Sequence, residues 1–381
     1  MWKVPLFDIS FDEKEQDAVK AVMDSGWLSM GEVTKKFENK FSEFLGVKHA
    51  IAVANATAAL HLANLALDLN EDSEVICPAL TFVASANSII YTGAKPVFAD
   101  IIDTNDFNIS PDDIESKITE KTRAIQVVHY AGYPCNMNRI MELAGKYKLY
   151  VIEDSAHAHG AEYQGKKCGA IGDIGCFSFL TNKNMTTVEG GMVTTNNDEL
   201  ASKIRIMRSQ GMTSLSLDRF KGHAFSYDVV ELGYNYRIDE IRSAIGIVQL
   251  DKLKLFNEKR KQLVQIYNET LVGIKEVSIP FEKNQDTSAH HIFPLLLDEA
   301  INRQQFMEHM KGNGIQTSIH YPPAHLFTIY RKKFKYKEGL LPVTENVAMR
   351  EITLPLYPAM SKNDVHYICD VIVKYFQKGN N

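Results

Sequence analysis

The stretch Ala50-Ile51-Ala52-Val53-Ala54-Asn55-Ala56-Thr57-Ala58-Ala59 carries the chain from one periodicity into another. Its first five residues are apolar without a break, as in a strand buried on both faces, and residues 58–69 continue as an Ala/Leu-rich helix. The alternation persists downstream. Glu74-Val75-Ile76-Cys77 reads as a strand ended by Pro78, 82–91 as a helix stopped at Gly93, and 95–100 as extended. Residues 124–128 read as a strand, 139–147 as a helix and 149–153 as a strand, with 174–179 and 191–195 completing the sheet. Strands alternating with helices predict an α/β fold with a mostly parallel sheet covered by helices. Past Tyr236, residues 239–261 form one helical stretch, with Ile241, Ile245, Val248, Leu250 and Leu253 at roughly helical spacing. The texture then changes to a strand over 291–297, a helix over 301–312, a strand over 315–320, Pro322-Pro323 and a last helix over 364–376. We therefore expect a large domain over 1–250 and a smaller α+β domain over 251–381, with roughly the first 20 residues able to pack on the smaller one.

Bulk properties narrow the function. The 381 residues are 45% hydrophobic and 23% charged, enough for a large buried core. A net charge of −5 without a basic stripe argues against nucleic-acid binding. No apolar run approaches the length of a membrane span, and the opening residues are charged too early for a signal peptide. Cys77, Cys135, Cys168, Cys176 and Cys369 are scattered, with no CxxC pair, so neither a metal site nor a disulfide framework is expected. A reduced, cytoplasmic enzyme is the expectation.

Four segments carry chemistry. The turn from Asn55 to Ala59 opens a helix, whose free N–H groups and positive dipole end suit a phosphate, with the Thr57 hydroxyl as a further donor. The plain structural reading is a helix cap by Asn55 or Thr57. Val151-Ile152-Glu153-Asp154-Ser155-Ala156-His157 places an acid at the carboxyl end of a buried strand, where α/β sheets bind ligands. Such an acid needs a cationic partner, and a protonated pyridine nitrogen is one. His157 either contacts that ligand or fills space. In Phe177-Ser178-Phe179-Leu180-Thr181-Asn182-Lys183-Asn184, a lysine follows an aromatic strand and precedes Glu189-Gly190-Gly191, a glycine pair that permits close backbone passage. Enclosure would hold Lys183 neutral enough to attack an aldehyde, and Ser178 could donate to the same phosphate. Gly233-Tyr234-Asn235-Tyr236-Arg237 is a polar, aromatic turn opening the long helix, and on its own residues it reads as a tyrosine-rich packing corner. A dinucleotide fingerprint is missing: Gly169, Gly172 and Gly175 have other spacing and precede a strand.

In order, these segments resemble the DegT/StrS family of sugar aminotransferases, a branch of the fold-type I pyridoxal 5′-phosphate (PLP) enzymes. The resemblance spans almost the whole chain, from Ser25-Gly26-Trp27 through Glu153-Asp154-Ser155-Ala156-His157 and Asn182-Lys183-Asn184 to His320-Tyr321-Pro322-Pro323 and Leu354-Pro355-Leu356-Tyr357-Pro358. It implies a Schiff base on Lys183, Asp154 paired with the pyridine nitrogen, and Phe82 stacked on the ring. Ala56, Thr57 and Ser178 match phosphate binders, Asn235 a phosphate ligand from a second subunit, and His157 a contact at the cofactor's edge. His320 and Tyr321 match a segment beside the sugar nucleotide. Ala56 stands where the family commonly has glycine; its backbone amide is still available. A lysine at 183, where the dehydratase branch has histidine, favours amine transfer over dehydration; a non-catalytic PLP-fold regulatory protein is the other alternative, and it would show no half-reaction with glutamate. The implied reaction moves an amine from glutamate to a nucleotide-linked keto-6-deoxy sugar within a homodimer. His157 and the likeness of 182–187 to perosamine-synthase-like members favour C4 over C3.

Overall fold

The computed structural model describes residues 2–213, 222, 226–282 and 287–379. Seven strands form the central sheet: β1 (His49–Val53), β2 (Glu74–Pro78), β3 (Lys95–Ala99), β4 (Thr122–Val128), β5 (Tyr150–Asp154), β8 (Ile174–Ser178) and β9 (Gly191–Thr195). Between β5 and β8 lies a two-stranded hairpin of β6 (Glu162–Tyr163) and β7 (Lys166–Lys167). The sheet order is β1-β9-β8-β5-β4-β2-β3, and only β9 runs against the others. This is the mostly parallel α/β sheet expected from the sequence.

Both sheet faces are buried, which is why the strands read as continuous apolar runs. Ile51, Val53, Val75, Cys77, Ile152, Ile174 and Val193 pack under helices Ala56–Ala66, Val83–Ile90 and Asp198–Arg208. On the opposite face, Ala50, Ala52, Phe177 and Met192 meet Phe37 and Phe41 of helix Glu32–Leu45. Ile76, Ile125, Val127 and Val151 meet Ile140 and Leu143 of helix Met137–Tyr147.

A second, antiparallel sheet of β10 (Val277–Ser278), β11 (Phe293–Leu297) and β12 (Glu351–Leu354) supports a separate core. Helix Glu240–Leu271 runs unbroken through residue 250. Its Leu250 and Leu253 lie in the core beneath β1, and its Leu263, Val264 and Tyr267 lie in the second core, as does Val4.

The strand expected over 315–320 does not form. Ile315 and Ser318 make only isolated bridges, to Val4 and Thr353. The chain leaves the sheet because the His320 N–H is taken by a Glu351 side-chain oxygen at 2.8 Å, and Pro322 and Pro323 have no N–H to offer a neighbouring strand.

One buried carboxylate fixes the site end of β5. Glu153 is 0% exposed and accepts from the N–H groups of Gly169, Ile171 and Gly172, each at 2.7 Å, and from His129 Nε2 at 3.0 Å. The glycines that failed as a dinucleotide turn thus fold a loop around Glu153. Replacing Glu153 by Ala strands those buried donors, and we expect urea denaturation to show a loss of roughly 3–5 kcal/mol in unfolding free energy.

Candidate active site

The carboxyl ends of β1, β2, β4, β5 and β8 surround a cavity of about 540 Å³. Strand geometry puts it there, since parallel strands release their loops on one side of the sheet. Ala56, Thr57, Phe82, Asp154 and His157 line it, as do Ser178, Lys183, His320 and Tyr321. Of the residues singled out from sequence, Asn235 alone does not line it; it is exposed, in the segment that bridges Ser209.

One wall is the N-terminus of helix Ala56–Ala66. Asn55 is the cap, its side chain accepting the Ala58 N–H at 2.8 Å, which leaves the Ala56 and Thr57 amides free of helical partners. Ser178 is buried beside them at the end of β8. The turn is held close to β9 by Gly191, where a Cβ would come within 2.6 Å of the Asn55 carbonyl group.

The opposite wall is Asp154, 6% exposed. Its Oδ2 accepts the Ser85 hydroxyl at 2.7 Å and its Oδ1 the Ala156 N–H at 3.2 Å. Burial pushes this carboxyl up, with those two hydrogen bonds and the Lys183 charge opposing. Among the described residues no cation forms an ion pair with it.

Lys183 follows β8 in the loop whose backbone Leu180 and Gly190 pin. Burial pushes its amine down to about 8, and Asp154 resists the shift. Its Nζ lies 3.4 Å from His291 Nε2. The Asn184 amide donates to Asn257 and to the Ala289 carbonyl, so its oxygen faces His291 Nδ1 at 2.9 Å as an acceptor. His291 therefore carries its proton on Nδ1 and offers Nε2 to the lysine. His157 packs against His291 with ring centroids 4.3 Å apart, and its Nε2 meets the Tyr321 hydroxyl at 3.0 Å. Burial, and then the Lys183 charge, push His157 and His291 well below the usual histidine range and His320 down to about 3. These shifts favour the neutral form of all three rings.

These features fit PLP. An unpaired buried carboxylate suits a protonated pyridine nitrogen, a free helix N-terminus with Ser178 suits a phosphate, and Lys183 suits an aldehyde. His157 Nδ1 and Asn182 Oδ1 belong to residues that line the cavity and are buried with no hydrogen-bond partner among the described residues, as expected of groups shaped for a ligand.

Sequence reasoning missed Ser85, which orients Asp154, and His291, which orients Lys183. The signal for His291 was present in His290-His291, two polar residues just ahead of an apolar strand. Arg242 and Glu189 also line the cavity and were not singled out as site residues.

Comparison with known proteins agrees with this geometry. The DegT/DnrJ/EryC1/StrS aminotransferase family profile matches residues 10–373. GDP-perosamine synthase of Escherichia coli O157:H7 is 39% identical over 98% of each chain. The solved structure of Helicobacter pylori PseC, an aminotransferase involved in pseudoaminic acid biosynthesis, has a TM-score of 0.92 at 32% identity, covering 98% of this chain and 99% of that one. DesV of S. venezuelae, solved in complex with a ketimine intermediate, has a TM-score of 0.90 at 30% identity over 98% and 99% of the two chains. The chain belongs to the DegT/DnrJ/EryC1/StrS aminotransferase family and is a PLP-dependent aminotransferase.

Proposed function

We propose that this enzyme transfers the amine of glutamate to a nucleotide-linked keto-6-deoxy sugar, at C4 in preference to C3. The observation that carries the reading is Lys183, its amine held near neutrality inside a cavity that also contains an unpaired Asp154. PLP bound there supplies an electron sink for the carbanion left when a C–H bond next to nitrogen breaks. Asp154 would hold the ring nitrogen, Ala56, Thr57 and Ser178 the phosphate, and Phe82 and His157 the faces and edge of the ring. Neutral Lys183 Nζ accepts the proton from the glutamate Cα in the first half-reaction. In the second, it gives a proton to the sugar carbon receiving the amine, so one group serves as base and acid. His291 Nε2 accepts a hydrogen bond from Nζ and keeps it aimed into the cavity. His320 and Tyr321 face the sugar, and the nucleotide supplies binding energy that orients the ketone.

The preference for C4 follows the likeness to GDP-perosamine synthase, together with His157 on the cavity wall. The product would be an amino sugar for a surface polysaccharide or glycosylated compound. Five buried free thiols suit a reducing, cytoplasmic setting, and among the described residues no helix is long and apolar enough to cross a membrane.

A homodimer with shared sites accounts for two surface features. Phe82 is 57% exposed at the cavity although it is a large aromatic. Asn235 lies outside its own cavity, in a segment with exposed Val229, Val230 and Leu232, and would reach the partner's phosphate.

Two experiments test this reading. Purified enzyme with glutamate and a panel of TDP-, UDP- and GDP-linked 3- and 4-keto-6-deoxy sugars should give a product whose amine NMR places at C4; amination at C3 alone would reverse the regiochemistry. For the shared site, Lys183→Ala and Asn235→Ala homodimers should each be severely impaired. Subunits mixed after dissociation should regain about a quarter of wild-type activity, because half the dimers carry one intact site; no recovery would contradict sharing.

A further inference from the structure

Strand β12 carries a buried acid that the proposed reaction does not use. Glu351 is 1% exposed and Thr353 0% exposed, and the two-residue repeat of a strand puts them on one face, towards His320. Glu351 Oε2 accepts the backbone N–H of His320 at 2.8 Å. Glu351 Oε1 lies 2.6 Å from the Thr353 hydroxyl, which lies 2.7 Å from His320 Nδ1. Tyr130 holds the same residue from the other side, its hydroxyl donating to the His320 carbonyl. His320 is thus fixed at its backbone and at Nδ1, while its ring lines the cavity with Nε2 as the remaining polar atom.

The Thr353 hydroxyl has one hydrogen, and that hydrogen decides the polarity of the chain of bonds. If Glu351 is a carboxylate it can only accept. Thr353 then donates to it and must accept from His320 Nδ1–H, which leaves Nε2 as a bare acceptor facing the cavity. If Glu351 is protonated it donates to Thr353, Thr353 donates to Nδ1, and Nε2 carries the hydrogen. We propose that Glu351 is a positioning residue which, through Thr353, sets whether His320 meets the sugar as a hydrogen-bond acceptor or as a donor. The two states differ by one proton, released or taken up at Nε2, while the Glu351 and Thr353 protons each move one place along the relay.

The surroundings make the carboxyl's state variable. Burial pushes Glu351 up to about 8; the Thr353 and His320 N–H hydrogen bonds and the Arg303 charge oppose this. Arg303 bonds the Glu351 carbonyl at 3.2 Å, and the Tyr130 and Tyr321 hydroxyls are the other titratable groups nearby, with Lys183 acting on His320. His320, pushed down to about 3, stays neutral throughout, so its tautomer varies rather than its charge. At neutral pH the donor form prevails, and it suits a ketone or hydroxyl oxygen. The inference rests on the placement of His320 beside the sugar, but the relay itself can be tested without turnover.

The experiment is 15N NMR of histidine-labelled, PLP-loaded enzyme, with the His320 signals identified by their loss in His320→Asn. At about pH 9.5, above the Glu351 value, wild type should show the Nδ1–H tautomer. Glu351→Gln should show Nε2–H, because its amide oxygen takes the His320 N–H and its NH2 donates to Thr353. The same tautomer in both proteins overturns the proposal. Should Glu351→Gln not fold, Thr353→Ser should keep the wild-type tautomer switch between about pH 6.5 and pH 9.5, and Thr353→Val should lose it; a switch that survives in Thr353→Val also overturns it. Neither result depends on which sugar is aminated, so failure here leaves the reading of the reaction intact.

Discussion

A β-strand sends consecutive side chains to opposite faces, and at the end of β5 this gives two adjacent carboxylates opposite fates. Glu153 turns into a loop that supplies three backbone N–H groups and His129, and every lone pair facing that loop is met. Asp154 turns into the cavity, where among the described residues one hydroxyl and one N–H donate to it. Leaving a buried carboxylate short of partners costs stability in the free protein, and the cost is offset only if a cation arrives. The first acid anchors the strand so that the second can wait for a ligand.

The same economy of charge governs the opposite side. Beside Lys183 stand imidazoles, with Asp154 as an acid acting on its charge, and burial disfavours the charged form of those imidazoles. A ring of cations would have repelled the lysine, and a ring of acids would have raised its affinity for protons. Neutral rings do neither; His291, its tautomer set by Asn184, aims the amine and leaves its proton easy to lose. Asn184 illustrates the indirect route by which this is achieved, since its two donated bonds decide which nitrogen of His291 carries the proton and leave Nε2 an acceptor towards Lys183.

Much of this was legible in the sequence because the sheet is buried on both faces, so its strands announce themselves as apolar runs bounded by Gly, Pro and polar turns. The site was legible where it sits on strand ends, at Asp154 and Ser178, in the loop just past β8, at Lys183, or on a helix start, at Ala56 and Thr57. Less was visible where long-range contacts decide. Segment 315–320 has strand composition, but Glu351, distant in sequence, takes the N–H that a strand would need. Helix Glu13–Ser25 lies outside the sheet periodicity, and its signal in the sequence is the local capping box of Asp12 and Glu15. The long helix extends to Leu271 because Leu263, Val264 and Tyr267 pack into the second core, a tertiary reward that helical spacing up to Lys261 does not reveal. Glu351 and Thr353 were unreadable as site residues, since nothing in Glu351-Ile352-Thr353 distinguishes an ordinary strand from a relay.

The central claim is that Lys183 is the amine that captures PLP, and that its enclosure makes it reactive near neutrality. Cofactor-free protein mixed with PLP, quenched with borohydride at a series of pH values and mapped by peptide mass spectrometry measures this directly. The account predicts the cofactor's mass on Lys183, with a capture rate that rises with pH and levels off above about 8, as the neutral amine becomes the dominant form. Label on another lysine, or capture at Lys183 that keeps rising towards the pH of an ordinary exposed amine, would contradict it.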